Sequence, residues 1–327
     1  MRMRVIVTGG AGFIGSAMVW QLNRLGVEDV IVTDLLGTDA KWKNLVPLRF
    51  SDIITPETLL KDPAAFDADA IVHMGACSAT TERDASYLLE NNYRYTKTLA
   101  EYAVGKDIRF IYASSAATYG AGEHGFDDDP EMRKKLAPLN MYGYSKQLFD
   151  LYAERTGLLQ KIVGLKFFNV FGPNEYHKGS MTSVPHNAFH TVQTEGVIRL
   201  FKSYREDYQD GEQVRDFIYV KDVTATMAWL LANPAINGLY NLGTGQARSW
   251  NALAKAVFAA VGKPENIEYI PMPDNLIGQY QYKTEASMER LQSAGCPVNF
   301  HDLEDTIRDY VQGYLLPGDA VLNPDEP

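Results

Sequence analysis

Cysteine is nearly absent from this chain: Cys77 and Cys296 are the two examples in 327 residues. Two distant thiols build no disulfide framework and lack metal-ligand spacing, which excludes a disulfide-stapled scaffold and a cysteine metal centre. A reducing cytoplasm is the expected location. Basic charge is also short. Lys and Arg number 31 against 41 Asp and Glu, a formal net charge of -10. That balance speaks against a nucleic-acid partner. Long apolar runs are missing, so no membrane span is expected. Arg2 and Arg4 precede an uncharged stretch from Val5 to Asn23. Its four glycines, Thr, Ser and Gln break up the compact apolar region that a secretion signal needs. No internal repeat, low-complexity tract or interdomain linker divides the chain.

What is present is a strand that turns on glycine. Val5 to Val7 reads as a buried parallel strand, and Phe13 to Leu25 as a helix. Between them stand Gly9, Gly12 and Gly15. The first permits a tight turn, the second lets backbone approach a pyrophosphate, and the third lets helix pack on strand. Asp29 to Thr33 reads as a second strand. Asp34 ends it, 19 residues after Gly15, where an acid meets the adenosine ribose. The spacing predicts a dinucleotide site. Lys41 and Lys43 follow in the same loop and could reach a 2′-phosphate, which favours NADP; Asp34 alone favours NAD.

Further strands end in small or hydroxyl-bearing residues. Asp69 to Ser78 runs into Gly75 and Ala76, where backbone can approach a cofactor. Cys77 reads as a small packing residue. Tyr87 to Val104 reads as a helix carrying Asn91 and Asn92. Arg109 to Gly120 is a strand that emits hydroxyls as it ends, where open α/β sheets place their sites. Glu123 to Leu136 reads as a charged surface loop. Tyr142 and Lys146, four apart, share a helix face, so the cation should favour the phenolate and lower the Tyr142 pKa. His186 and His190 are also four apart on a predicted helix, but without a third ligand no metal is expected.

The expected fold class is α/β: a Rossmann-type doubly wound parallel sheet with a smaller C-terminal α/β substrate lobe. Residues 1–170 form the dinucleotide domain, segments about 214–250 return to it, and 171–320 form mainly the substrate lobe. The tail from Pro317 is expected to be loose.

Five motifs together resemble the extended short-chain dehydrogenase/reductases that act on nucleotide sugars. They are Thr8 to Gly15, Ser114 to Gly120, Tyr142-x-x-x-Lys146, Arg215 to Val220 and Asn241 to Gly245. Within that group, His73 to Glu82, Tyr112 to Gly120, Asn140 to Lys146, Phe168 to Pro173 and His177 to Met181 resemble the ADP-L-glycero-D-manno-heptose 6-epimerase family. The Lys178 segment is the most specific of these signals. The likeness reaches to about Tyr314.

The resemblance implies epimerisation by transient oxidation and reduction at the sixth sugar carbon, with tightly bound NADP (NAD as the other possibility), for lipopolysaccharide inner-core synthesis. It implies a cytoplasmic homo-oligomer, a pentamer in this family, with an ADP-sugar substrate. Tyr142 and Lys178 would be the two acid–base groups, Ser115 would bond the substrate oxygen, and Lys146 would hold the nicotinamide ribose. Cofactor contacts carry over to Gly9, Gly12, Phe13, Ile14, Gly15, Asp34, Leu35, Lys41, Met74, Gly75, Ala76, Cys77, Ser78, Asn91, Lys146, Val170 and Lys178. Substrate contacts carry over to Ser115, Asn169, Ser180, His186, Phe201, Arg215 and Tyr280. Arg215 suits a pyrophosphate, as its planar fork binds phosphate oxygens in pairs; a salt bridge to Asp216 is the competing role. The family's Asp-Asn pair is Asp34-Leu35 here, and its Glu after the His73 position is Met74. A UDP-sugar 4-epimerase and a non-catalytic nicotinamide-binding regulator are the alternatives. A dehydratase is disfavoured, because Ala116 and Ala117 follow Ser115 where acids would be needed.

Overall fold

The computed structural model describes residues 3–274, 276–277 and 280–326. Its first half alternates strand and helix: β1 (Val5–Thr8), α1 (Phe13–Arg24), β2 (Val30–Thr33), β3 (Asp52–Ile54), α2 (Pro56–Lys61), β4 (Ala70–His73), α3 (Ala85–Leu88), α4 (Tyr95–Gly105), β5 (Arg109–Ser115), α5 (Met141–Arg155) and β6 (Val163–Phe167). The second half holds β7 (Asn169–Phe171), α6 (Val184–Thr194), β8 (Ile198–Phe201), β9 (Val214–Tyr219), α7 (Val220–Ala232), β10 (Gly238–Leu242), β11 (Ala247–Ser249), α8 (Trp250–Val261), β12 (Ile267–Ile270), α9 (Glu289–Ser293) and α10 (Leu303–Tyr310).

Seven strands pair in parallel in the order β10-β6-β5-β4-β1-β2-β3. Strands β1, β2 and β4 are buried on both faces, which is why they read as continuous apolar runs rather than alternating ones. Strand order reverses between β1 and β4, and ligands of such sheets sit at that crevice, outside the strands' carboxyl ends. One core cluster packs α1 and α7 on one face, and another packs α4 and α5 on the opposite face.

The second half does not simply continue this sheet. Helix α7 and strand β10 return to it, but β9 pairs with β7 and β11 in a separate three-stranded sheet. A third cluster, from α6, α8, α10, β8 and β9, forms the core of the smaller lobe. The tail is docked rather than loose. Leu322 is fully buried. Its N–H donates to Asn174 Oδ1 (2.9 Å), and Trp20 Nε1 donates to the Asn323 carbonyl (3.2 Å). Among the described residues, no helix is long and apolar enough to cross a membrane.

Candidate active site

The glycine loop is built for close approach. Gly9 has φ +62°, and a Cβ there would meet Gly75 N at 2.8 Å. A Cβ on Gly15 would stand 2.1 Å from the Gly9 carbonyl oxygen, so α1 can pack on the turn only with glycine there. No side chain caps the N-terminus of α1, and its first turn holds no acid. This leaves the N–H groups and helix dipole at Phe13, Ile14 and Gly15 open, an arrangement that favours an anion.

The neighbouring loops are pinned by buried polar links. Thr8 Oγ1 accepts from Gly75 N (2.9 Å) and bonds His73 Nδ1 (2.7 Å), while His73 Nε2 bonds Thr96 Oγ1 (2.9 Å). Burial, with the Lys146 charge second, lowers the His73 pKa to about 3, so the ring is neutral near neutral pH. The segment Met74 to Ser78 is clasped by Asn92: its Oδ1 accepts from Cys77 N (2.8 Å) and its Nδ2 donates to Cys77 O (2.9 Å). Asn92 lies on a π-helical turn, Leu89–Arg94, between α3 and α4, an irregularity that often marks functional sites. Asn91, the neighbour carried over by resemblance, donates to its own helix at Tyr87 O (2.9 Å).

The loop after β2 carries a preformed ion pair. Asp34 Oδ1 accepts from Leu35 N (2.7 Å) and Lys41 Nζ (2.8 Å), and Oδ2 accepts from Ala11 N (2.9 Å). Lys43, by contrast, is exposed. Asn44, which the sequence did not single out, ties this loop to two others. Its Nδ2 donates to Ala11 O and to Asn174 O, both at 3.0 Å.

Ser115 ends β5, and Tyr142 and Lys146 lie one turn apart on α5, begun by Asn140 Oδ1 accepting from Gly143 N (2.8 Å). The electrostatics differ from expectation. Burial raises the Tyr142 pKa, opposed by hydrogen bonding with Ser115, and the same burial lowers Lys146 to about 8. Lys146 Nζ donates to Ala113 O (2.9 Å), and desolvation rather than the neighbouring cation sets the direction of the Tyr142 shift. One turn further on, Asp150 accepts from Tyr112 OH (2.9 Å) and Ser114 Oγ (2.6 Å) and pairs with buried Lys166 (3.3 Å).

Lys178 comes from a 3₁₀ segment, Tyr176–Met181, that also carries exposed Ser180. Its Nζ lies 5.2 Å from the centre of the Phe13 ring, over the start of α1. Burial lowers its pKa, with Glu175 opposing. Buried Glu175 anchors this segment by accepting from Ser183 Oγ (2.6 Å), Ser183 N (2.5 Å) and Tyr310 OH (3.0 Å). Val170 sits in β7 beside exposed Asn169.

Phe201, Arg215 and Tyr280 come together in the smaller lobe. The Arg215 guanidinium lies 5.2 Å from the Tyr280 ring and 5.6 Å from the Trp250 ring, and Phe201 meets Tyr280 edge-on at 6.1 Å. Arg215 does not pair with Asp216. That carboxylate accepts from Thr244 N (2.7 Å), Thr244 Oγ1 (2.8 Å), Gly245 N (3.0 Å) and Ala286 N (3.0 Å). Among the described residues, Arg215 has no acidic partner, so its charge is free for an anion. A cavity of about 690 Å³ opens nearby, lined by Tyr280, Tyr208, Arg205 and Phe126. His186 lies elsewhere on α6, against His190 and Asp319.

Residues 5–243 match the NAD dependent epimerase/dehydratase family. An ADP-L-glycero-D-manno-heptose-6-epimerase of Nitratidesulfovibrio vulgaris (strain DP4) is 57% identical over 97% of this chain and 99% of its own length. This chain belongs to the ADP-L-glycero-D-manno-heptose-6-epimerase family. It is an isomerase. The crystal structure of the Helicobacter pylori ADP-L-glycero-D-manno-heptose-6-epimerase is 27% identical, with a TM-score of 0.81 over 95% of this chain and 96% of that one. The Thermus thermophilus UDP-glucose 4-epimerase, solved with NAD, is 26% identical, with a TM-score of 0.73 over 97% of this chain and 100% of that one. The cofactor class is therefore a nicotinamide dinucleotide, and the glycine loop, the bare α1 N-terminus and the Asp34 loop of this epimerase fit it.

Proposed function

We propose that this epimerase interconverts ADP-D-glycero-D-manno-heptose and ADP-L-glycero-D-manno-heptose, with NADP as its resident cofactor. The observation that carries this reading is Lys178, a partly buried lysine held over the start of α1 on a segment separate from the Tyr142 helix. Inverting a carbon through a ketone needs proton transfer at the same oxygen in two sugar orientations, and two groups on different elements supply that.

A bound NADP would supply reversible hydride acceptance at the sixth sugar carbon, whose C–H is too weakly acidic for direct deprotonation. The Tyr142 phenol would move the hydroxyl proton in one orientation, and Lys178 Nζ in the other. Ser115 Oγ, whose hydrogen bonding opposes the rise in the Tyr142 pKa, would hold the reacting oxygen. Lys146 would hold the nicotinamide ribose, and Phe13 to Gly15 the pyrophosphate. Asp34 is committed to Lys41, Leu35 and Ala11, which leaves its carboxylate neutralised where a 2′-phosphate would lie. Arg215, between Trp250 and Tyr280, would bind the ADP phosphates. Asn169, Ser180 and Phe201 would complete the substrate contacts. A cytoplasmic homo-oligomer serving lipopolysaccharide inner-core assembly is part of the same reading.

The test is proton NMR of purified enzyme mixed with ADP-D-glycero-D-manno-heptose, without added cofactor. Conversion to the L-glycero isomer is expected. Tyr142→Phe and Lys178→Met should each lower kcat by about 10²–10⁴-fold while retaining cofactor, the usual worth of a placed acid–base group. Absence of conversion even after NADP and NAD are added would overturn the substrate assignment. Near-normal turnover in either variant would remove that residue's role.

A further inference from the structure

The pair His186 and His190, four residues apart on α6, acquires a third potential ligand from the distant C-terminal segment. Asp319 brings a carboxylate oxygen to the two imidazoles, and all three donor atoms lie within 4.8 Å of one another. The two Nε2 atoms are 3.2 Å apart, and His190 Nε2 is 4.0 Å from Asp319 Oδ1. Two imidazoles on one tetrahedral zinc, at about 2.0–2.1 Å each, stand about 3.3 Å apart. The His–His spacing already matches that edge. The carboxylate must close by only a fraction of its present separation.

A simple hydrogen bond between the rings leaves the rest of the cluster unexplained. Asp319 Oδ1 itself is shielded from water and accepts no hydrogen bond, although the side chain as a whole is 41% exposed. A carboxylate oxygen removed from water needs a proton donor or a cation. The backbone is fixed on either side. Tyr176 OH donates to Ala320 O (2.7 Å), and Ala320 N donates to Tyr314 O (2.9 Å). Asp319 is therefore held facing α6, although its φ of 60° is one that few non-glycine residues adopt.

We propose that His186, His190 and Asp319 form a divalent transition-metal site of zinc type that clamps the C-terminal segment to α6. Two nitrogens and one oxygen suit Zn²⁺ better than Mg²⁺ or Ca²⁺, which prefer all-oxygen shells. A water would complete the tetrahedron.

The experiment uses full-length, tag-free enzyme treated with EDTA, titrated calorimetrically with ZnCl₂. The parent should bind zinc saturably, and its melting temperature should rise with zinc, because the metal favours the folded chain. Asp319→Asn and His190→Ala should each weaken zinc binding about tenfold or more, since losing a ligand costs at least what losing a supporting partner does. Asn tolerates positive φ and Ala favours helix, so both variants should fold, which circular dichroism checks. A zinc K-edge spectrum with only nitrogen and oxygen neighbours would support the ligand set. No saturable binding, or equal affinity in parent and both variants, would overturn the site. Binding lost in His190→Ala but retained in Asp319→Asn would also overturn it, leaving only a helical histidine pair.

Discussion

Lys41→Met is the sharpest probe of the cofactor reading. Lys41 Nζ sits 2.8 Å from Asp34 Oδ1, with the side chains 17% and 9% exposed, so water screens the pair little. Asp34 keeps its bonds from Leu35 N and Ala11 N in the variant and stays in place. Two things then change at the ribose. A 2′-phosphate loses a charge-assisted hydrogen bond worth about 1.5–3 kcal/mol, or roughly 10–150-fold in NADP affinity. It also meets a carboxylate whose charge is no longer balanced. A 2′-hydroxyl loses nothing comparable, because the freed Asp34 oxygen can accept from it. The NADP-to-NAD affinity ratio should therefore fall by at least about tenfold, driven by NADP. The assay is titration of cofactor-stripped enzyme with each dinucleotide, followed by tyrosine and tryptophan fluorescence. An unchanged ratio, or an equal loss of both affinities, would refute the reasoning and leave Lys41 as a purely structural partner of Asp34.

Asp150→Asn should destabilise the fold by about 3–5 kcal/mol in urea, because it strands the Lys166 ammonium, only 1% exposed, without its counter-charge; a loss under half of that would argue that Lys166 is neutral in the parent. Gly15→Ala should yield protein that retains no cofactor, since its Cβ would stand 2.1 Å from the Gly9 oxygen; an absorbance spectrum of the purified variant decides it. His73, with a folded pKa near 3 against 6.5 when free, binds fewer protons folded than unfolded between those values. Its contribution is complete above pH 6.5 and is lost as pH falls, at up to about 1.4 kcal/mol per pH unit. In His73→Asn the stability difference between pH 5 and pH 7 should shrink; an unaltered difference would show that the ring titrates normally.

The nucleotide half was legible because its signals are local. A short apolar strand, a glycine turn and an acid at a fixed distance describe one βαβ unit, and the helices Phe13–Arg24, Met141–Arg155 and Val184–Thr194 carry the residues for which helix was expected: those after the glycine turn, Tyr142 with Lys146, and His186 with His190. What was not legible depends on contacts between distant parts. The charged run before Leu136 reads as a surface loop, yet Asp128 is buried where it accepts from Asn241 N (2.7 Å), and Arg133 is buried against Glu154 (3.3 Å). Asn44 looks like any polar residue in a lysine-rich loop until the fold brings Ala11 and Asn174 to its amide. Asp319 lies in a segment rich in Pro, Gly and Asp, which composition alone reads as loose.

The Tyr-x-x-x-Lys motif shows where a local rule stops. Sequence spacing puts Tyr142 and Lys146 on one helix face, and that much is realised. It does not set the energetics, because a cation lowers a phenol's pKa only if the burial that brings them together costs less than the attraction gains. Here burial raises Tyr142 and lowers Lys146 and Lys178, so all three groups are driven toward their neutral forms. A neutral phenol can donate a proton and a neutral amine can accept one. In the mechanism proposed above these directions favour Tyr142 as proton donor and Lys178 as proton acceptor in the resting site, the opposite polarity to a phenolate preformed by Lys146. Reversing the roles requires charge from outside the chain, and a cationic nicotinamide in the same crevice is a group that could supply it. On that account the pH dependence of the first half-reaction should follow Lys178 in the free enzyme, and Lys178→Met should abolish that dependence while Tyr142→Phe keeps it.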